Sequence, residues 1–344
     1  MVLKAKLLSA LALLVLSAAL AAAWGWQSYQ RFLAAPLPIE ESTLYHLERG
    51  SSFSQLMADL QLRGWLAQPL YFKLYARHSG LGRKLKAGEY QLEPGMTPVR
   101  LLQRLTSGRS VQHRFTIVEG TTFSELRAQL LADERLQHAL PGLSDEQLLE
   151  KLASKAAHPE GLFLAETYQF QRGDSDLDLL VRAHQHLTQV LEDAWQQRTE
   201  KNAYRQPYEA LIMASIVEKE TARADERPRI AGVFVRRLEK GMRLQTDPTV
   251  IYGLGETFDG NLTRKDLRRK TPYNTYVIKG LPPTPIAMVG EDAIRAALNP
   301  ADGEALFFVA RGDGSHAFSV TLKEHNRAVR KYQLQRRSDY RSSP

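Results

Sequence analysis

The sequence predicts an α+β protein: an N-terminal helix long enough to cross a bilayer, a small α/β domain, and a larger mixed α+β domain. Three observations carry that expectation. An uncharged apolar run extends from Leu7 to about Trp26. Two similar segments, His46–Leu56 and Ile117–Leu126, each pass from extended chain through a glycine and hydroxyl residues into helical spacing. Long helical stripes then share the chain with short β-like runs such as Leu306-Phe-Phe-Val-Ala310. The expected boundaries are 1–30 for a cytoplasmic tip and transmembrane anchor, 31–40 for a linker, 41–110 for the small domain and 111–340 for the larger one.

The apolar run is about 20 residues long, the thickness of a bilayer's hydrocarbon. Trp24, Trp26 and Tyr29 follow at its far end, where amphipathic rings favour the interface. Lys4 and Lys6 precede it and predict a cytoplasmic N-terminus. The rival is a cleaved signal peptide, for which Ala18–Ala23 offers small residues. Length and flanks favour a retained anchor, and either way the body is exported. Residues 31–40 (RFLAAPLPIE) hold two prolines and read as a linker.

The composition of the whole chain is ordinary for a folded protein: of 344 residues, 43% are hydrophobic and 24% charged. It contains no cysteine, which excludes thiolate catalysis, disulfides and cysteine-built zinc sites. The net charge of +8 suits an anionic polymer, lipid or nucleic acid, but no nucleic-acid-binding signature is present. Neither a P-loop nor a dinucleotide glycine fingerprint occurs. His184 and His186 lie two apart on a predicted helix over 176–200, a spacing unsuited to a shared metal, and read as solvated or packed. A second helix is expected over 144–158.

In the first of the two similar segments, Leu56 and Leu60 continue the helix that Phe53 begins. In the second, 70 positions on, Leu126, Leu130 and Leu131 follow Phe123. With Leu85–Leu92 and a helix around Val99–Leu105, the first unit resembles the LysM-like domain of cell-wall proteins; the alternative is a spacer.

Pro207 opens a helix whose middle, Leu211 to Val217, is almost wholly apolar and therefore buried. Glu218 shares a face with Leu211, Ala214 and Ser215. Glu220 lies about 200° around the helix. A carboxyl group at the end of a buried helix is costly to ionise, which suits a general acid; the bland reading is an ion pair with Lys219 or Arg223. Asp225 is expected to cap a following helix to Lys240, with Gly241 as its stop. Two polar loops follow, Met242–Thr249 and Tyr273–Tyr276, and then Gly280-Leu-Pro-Pro283. Amide, hydroxyl and aromatic side chains in such loops suit a sugar ligand. Leu306–Ala310 reads as a buried strand beside His316–Thr321, and residues 324–337 as a basic C-terminal helix.

Ala214-Ser-Ile-Val-Glu-Lys-Glu-Thr221, Arg243-Leu-Gln-Thr-Asp-Pro-Thr249, Pro272-Tyr-Asn-Thr-Tyr276 and Gly280-Leu-Pro-Pro283 resemble, in order, the motif set of the MltG/YceG-type endolytic murein transglycosylases. The likeness spans essentially the whole chain. It departs at Glu160-Gly-Leu-Phe-Leu-Ala165-Glu166-Thr-Tyr168, where the family usually has proline and aspartate at positions 165 and 166. The resemblance implies Glu218 as the catalytic acid and base, Gln245, Asp247, Tyr273 and Asn274 along the cleft, and no metal or organic cofactor. It further implies peptidoglycan glycan strands as substrate, 1,6-anhydro-muramyl ends as product, the inner membrane as location and peptidoglycan synthases as neighbours. The competing readings are a water-using muramidase with Asp247 as second carboxylate, and a non-catalytic wall-binding scaffold. A Ser-x-x-Lys enzyme is excluded because Glu218 stands three residues after Ser215.

Overall fold

A computed structural model describes residues 2–199 and 203–334. The described chain falls into two compact units. One runs to His113 and takes in 171–173; the other holds Arg114–Phe170 and the residues from Asp174 onward.

The first unit opens on helix α1 (Val2–Ala34). From Lys6 to Ala34 it is long and apolar enough to cross a membrane, and its leucines from Leu7 to Leu20 are exposed. Lys6 is exposed, whereas the side chain of Lys4 lies outside the described residues. The helix continues into the expected linker. Phe32 packs against the unit's core, and Leu37 and Ile39 are buried in it, so 31–40 is an integrated segment with apolar anchors. Next come β1 (Thr43–Leu47), α2 (Phe53–Leu62), α3 (Pro69–His78), β2 (Gly88–Leu92) and α4 (Pro98–Ser107). β1 and β2 pair antiparallel, Tyr45 opposite Tyr90. Ser52 and Gln55 close a capping box at the start of α2. Leu56, Leu60, Phe72, Tyr90, Leu101 and Leu105 fill the core.

The second unit begins with β3 (His113–Thr116), α5 (Phe123–Ala132), α6 (Asp145–Lys151) and β4 (Thr167–Phe170), with β3 paired to β4. A second capping box, Thr122 with Glu125, starts α5, so the two repeated segments share a physical device. α6 is shorter than the expected 144–158. Ala153 takes a positive φ of 52° just beyond it and turns the chain out of the helix. α7 (Asp176–Gln196) buries Leu179, Leu180, Ala183, Leu187 and Val190, and residue 200 lies outside the described residues. His184 is packed, with Nδ1 2.9 Å from the Leu162 carbonyl, and His186 stands edge-on to Tyr168.

Three helices form the centre of this unit: α8 (Pro207–Glu220), α9 (Arg227–Glu239) and, after α10 (Asp247–Leu254), α11 (Glu291–Leu298). α8 is buried from Ala210 to Glu218, as its composition requires. Asp225 does not cap α9; Glu226 holds the cap position, and Asp225 is drawn off into a two-bond pair with Arg223 at 2.8 and 3.1 Å. Gly241 follows α9 at φ 63°, as a helix stop should. β5 (Phe307–Ala310) and β6 (His316–Ser319) pair antiparallel. β5 is half-buried rather than buried, because Phe307 and Phe308 face an open cleft. α12 (Leu322–Val329) ends in a wider turn through Leu334, and the rest of the expected 324–337 helix lies outside the described residues.

Candidate active site

A cleft of about 1710 Å³ opens in the second unit. It is lined by the end of α8, the start of α5 with Glu160, the 244–246 segment with α10, and the β5–β6 hairpin with α12. Tyr252, Phe258, Tyr273 and Tyr276 line it, as do Phe307 and Phe308. Such faces can stack on sugar rings while nearby hydroxyl groups bind sugar oxygens.

The two glutamates at the end of α8 have separate surroundings, as their angular offset requires. The Glu218 side chain is only 3% exposed. It accepts hydrogen bonds from Arg227 Nη2 at 2.9 Å and from the Gly290 amide at 3.0 Å. Ser215, on the same face, accepts from the Ile286 amide at 3.0 Å, so this side of the helix is fastened to the 286–290 segment. Burial raises the Glu218 pKa, while the Gly290 amide and Arg227 pull it back. From this end of α8, Lys219, Glu220, Thr221 and Ala222 line the cleft. Glu218 beside them is buried and poorly hydrated, its carboxyl group held between Arg227 and the Gly290 amide.

Glu220 lines the cleft from the other side of the helix. Burial pushes its pKa up to about 7; Asp247 adds to the rise, while the Thr246 hydroxyl and Arg237 oppose it. Thr246 Oγ1 donates a hydrogen bond to the Glu220 carboxylate. The 246 position is itself fixed from behind. The Thr246 amide donates to Thr275 Oγ1 at 3.1 Å, and Thr249 and Thr275 hydroxyls meet at 2.8 Å, all three residues being buried. Gln245 before it takes a φ of 55°, an uncommon conformation for a non-glycine residue and one often found at functional sites. The buried Arg237 donates to the Leu244 carbonyl at 2.7 Å and the Leu306 carbonyl at 2.6 Å, joining the two sides of the cleft behind Glu220.

The other expected residues divide. Gln245, Asp247 and Tyr273 line the cleft. Asp247 accepts from Tyr276 Oη at 2.7 Å. Tyr273 bonds Thr284 at 2.8 Å and stands edge-on to Tyr252 at 4.8 Å between ring centres. Asn274 does not reach the cleft. It is fully buried, its Nδ2 donating to the carbonyls of Asp266 (3.1 Å) and Arg269 (2.7 Å), and it shapes the loop instead. Glu166 lies outside the cleft, exposed, and caps its own neighbour's amide.

Two further groups were not singled out by sequence reasoning. Glu160 lines the cleft with its pKa pushed up to about 7 by burial, despite bonds from the Phe123 amide (3.0 Å) and Tyr252 Oη (3.1 Å). His316 is oriented by buried Glu226, which accepts from its amide at 3.0 Å and contacts Nδ1 at 2.7 Å. Both acids lie in stretches already conspicuous by motif or cap, but their partners lie 37 and 90 positions away, beyond local spacing rules. Among the described residues, no cluster of three His, Cys, Asp or Glu side chains is placed to hold a metal ion.

Comparison with known proteins adds to this geometry. The profile of the YceG-like family matches residues 45–331. An endolytic murein transglycosylase of Bacillus subtilis (strain 168) is 32% identical over 323 residues, covering 88% of this chain and 89% of that protein. One of Streptococcus pneumoniae serotype 2 (strain D39 / NCTC 7466) is 28% identical over 348 residues, covering 90% of this chain but 63% of the longer protein. A crystal structure of a yceG-like protein of Listeria monocytogenes aligns with a TM-score of 0.54 at 30% identity, covering 84% of this chain and 99% of that one.

Proposed function

The chain belongs to the YceG-like family, and from that premise we propose that it is an endolytic murein transglycosylase with Glu218 as its acid and base. One observation supports the residue assignment: Glu218 is a poorly hydrated carboxyl group at the end of α8, next to the residues that line the cleft, and burial raises its pKa. Protonated Glu218 donates to the oxygen bridging N-acetylmuramic acid and N-acetylglucosamine as positive charge builds at the anomeric carbon. The resulting carboxylate takes the proton from the C6 hydroxyl of the same muramyl residue. That oxygen closes onto the anomeric carbon and leaves a 1,6-anhydro end. An internal nucleophile has a high effective concentration, so neither a water molecule nor a second carboxylate is needed. Gln245, Asp247, Tyr273 and Tyr276 hold the sugars, Arg227 and the Gly290 amide poise the acid, and Glu220 with Thr246 fastens the other side of the helix that carries it.

A second reading has its own support. Asp247 shares the cleft and lies near enough to raise the Glu220 pKa, so it could serve a water-using muramidase as second carboxylate. Mass spectrometry of products from purified glycan strands decides between them. Anhydro ends are expected; reducing ends one water heavier overturn the transglycosylase reaction.

The pH profile follows from the protonation state that the first step needs. Cleavage efficiency (kcat/KM) is expected to fall on an alkaline limb that lies above the ordinary carboxylate range, where Glu218, its pKa raised by burial, loses its proton. Arg227 stabilises the charged form, so Arg227→Gln should move that limb to higher pH. A limb that stays fixed in the variant overturns the assignment of the titration to Glu218.

The further placement completes this reading. α1 anchors the chain in the inner membrane with its N-terminus in the cytoplasm, and the 111–340 domain works on the periplasmic side beside peptidoglycan synthases. The 41–110 domain is LysM-like, a reading supported by its two strands flanking two helices. Length and apolar composition of α1 support the anchor.

A further inference from the structure

The loop between α10 and α11 carries a cluster of charge for which the cleavage chemistry has no use. Arg264, Lys265, Arg268, Arg269 and Lys270 follow one another closely, and all five are exposed. Asp266 is the single acid among them. Its carboxylate is occupied at home, accepting from the Thr263 amide at 2.9 Å and from the Thr263 hydroxyl. The loop is held from beneath by buried Asn274, which takes the Asp266 and Arg269 carbonyls. Four of the cations, Arg264, Lys265, Arg268 and Arg269, ring a surface hollow of about 810 Å³. The same loop borders the cleft at both ends, since Gly260 and Leu262 before the cluster and Tyr273 after it line that cleft.

A cationic rim next to a polymer-binding cleft reads charge on the parts of the polymer that lie outside the cut. In peptidoglycan those parts are the peptide stems, which hang from the muramyl lactyl groups and carry free carboxylates. Arginine forks pair with carboxylates through two parallel hydrogen bonds. We propose that the Arg264–Lys270 loop binds the stem-peptide carboxylates of the strand in the cleft, making the enzyme selective for peptide-bearing over peptide-free glycan. This rests on the murein transglycosylase reading above.

The test uses the full-length chain in detergent and two substrates, peptide-bearing glycan strands and the same strands stripped of stems by an amidase. The parent should cut peptide-bearing strands more efficiently. The triple variant Arg264→Gln, Arg268→Gln, Arg269→Gln should lose roughly three- to tenfold in kcat/KM on those strands, the scale of a few exposed ion pairs. The loss should lie in KM with kcat unchanged, it should shrink as salt rises, and stripped strands should be cut as by the parent. The matching triple lysine variant should keep most of the preference. A loss equal on both substrates, or no loss, overturns the proposal. So does a variant that keeps its strand preference but no longer binds phosphatidylglycerol vesicles, because the loop then serves a lipid surface. If the triple variant fails to fold, Lys265→Glu carries the test: reduced preference supports the proposal and unchanged preference overturns it. Failure of the parent to cut either substrate overturns the enzymatic reading itself, whereas equal cutting of both overturns this inference alone.

Discussion

Glu218→Gln is expected to lower the rate of glycan cleavage by about 10²- to 10⁴-fold, the range a positioned general acid and base contributes, while the protein stays folded and membrane-bound. Glutamine fits the same space and can still accept from Arg227 and the Gly290 amide, but it neither delivers nor takes up the proton. The paired control is Glu220→Gln. That side chain accepts from Thr246 on another side of the helix, so its replacement should retain most of the rate. Product release measured by chromatography and the midpoint of urea unfolding separate the two roles. If Glu220→Gln silences the enzyme and Glu218→Gln does not, the catalytic role passes to Glu220.

Arg227→Met is expected to cost stability most heavily, on the order of 3–5 kcal/mol, because it removes the countercharge from a buried acid. Arg227 is itself buried and bridges Glu218 at 2.9 Å, Glu119 at 3.0 Å and Asp292 at 3.4 Å. Glu119 and Asp292 are largely open to water and can be hydrated without it, but Glu218 cannot. The pH dependence has a definite sign. Without Arg227, the folded-state pKa of Glu218, already raised by burial, rises further above that of the unfolded chain. Protonation then relieves the folded state at low pH. The deficit should therefore be small below the unfolded pKa and grow as pH climbs through the folded one. Replacing both partners by apolar residues, as in Glu218→Leu with Arg227→Met, should recover part of the loss, since no charge is left stranded. A single variant as stable as the parent at neutral pH would show that the pair does not hold α8.

Much of the fold could be read in the chain because it follows from local rules. The apolar length of α1, the hydroxyl caps of α2 and α5, the proline that opens α8 and the glycine after α9 are decided within a few residues. The motifs also pointed to the loops around positions 245 and 273, and Gln245, Asp247 and Tyr273 line the cleft. What could not be read was which groups meet each side of α8. Helical phase separated Glu218 from Glu220, but it is blind to what packs there. That is set by Arg227, Gly290 and Thr246, residues that the folded chain brings in from other elements. Asn274 was misread for a similar reason: an amide in a polar loop looks the same in sequence whether it points to a ligand or satisfies two carbonyls beneath the surface.

Fourteen residues of one helix thus answer to two masters. A random library across Pro207–Glu220 would lose clones by two unrelated routes, some because the scaffold gives way and others because a sound scaffold carries no working acid. Sorting such a library by expression level and by wall-cutting activity in parallel would tell the two kinds of casualty apart, which neither screen could do by itself.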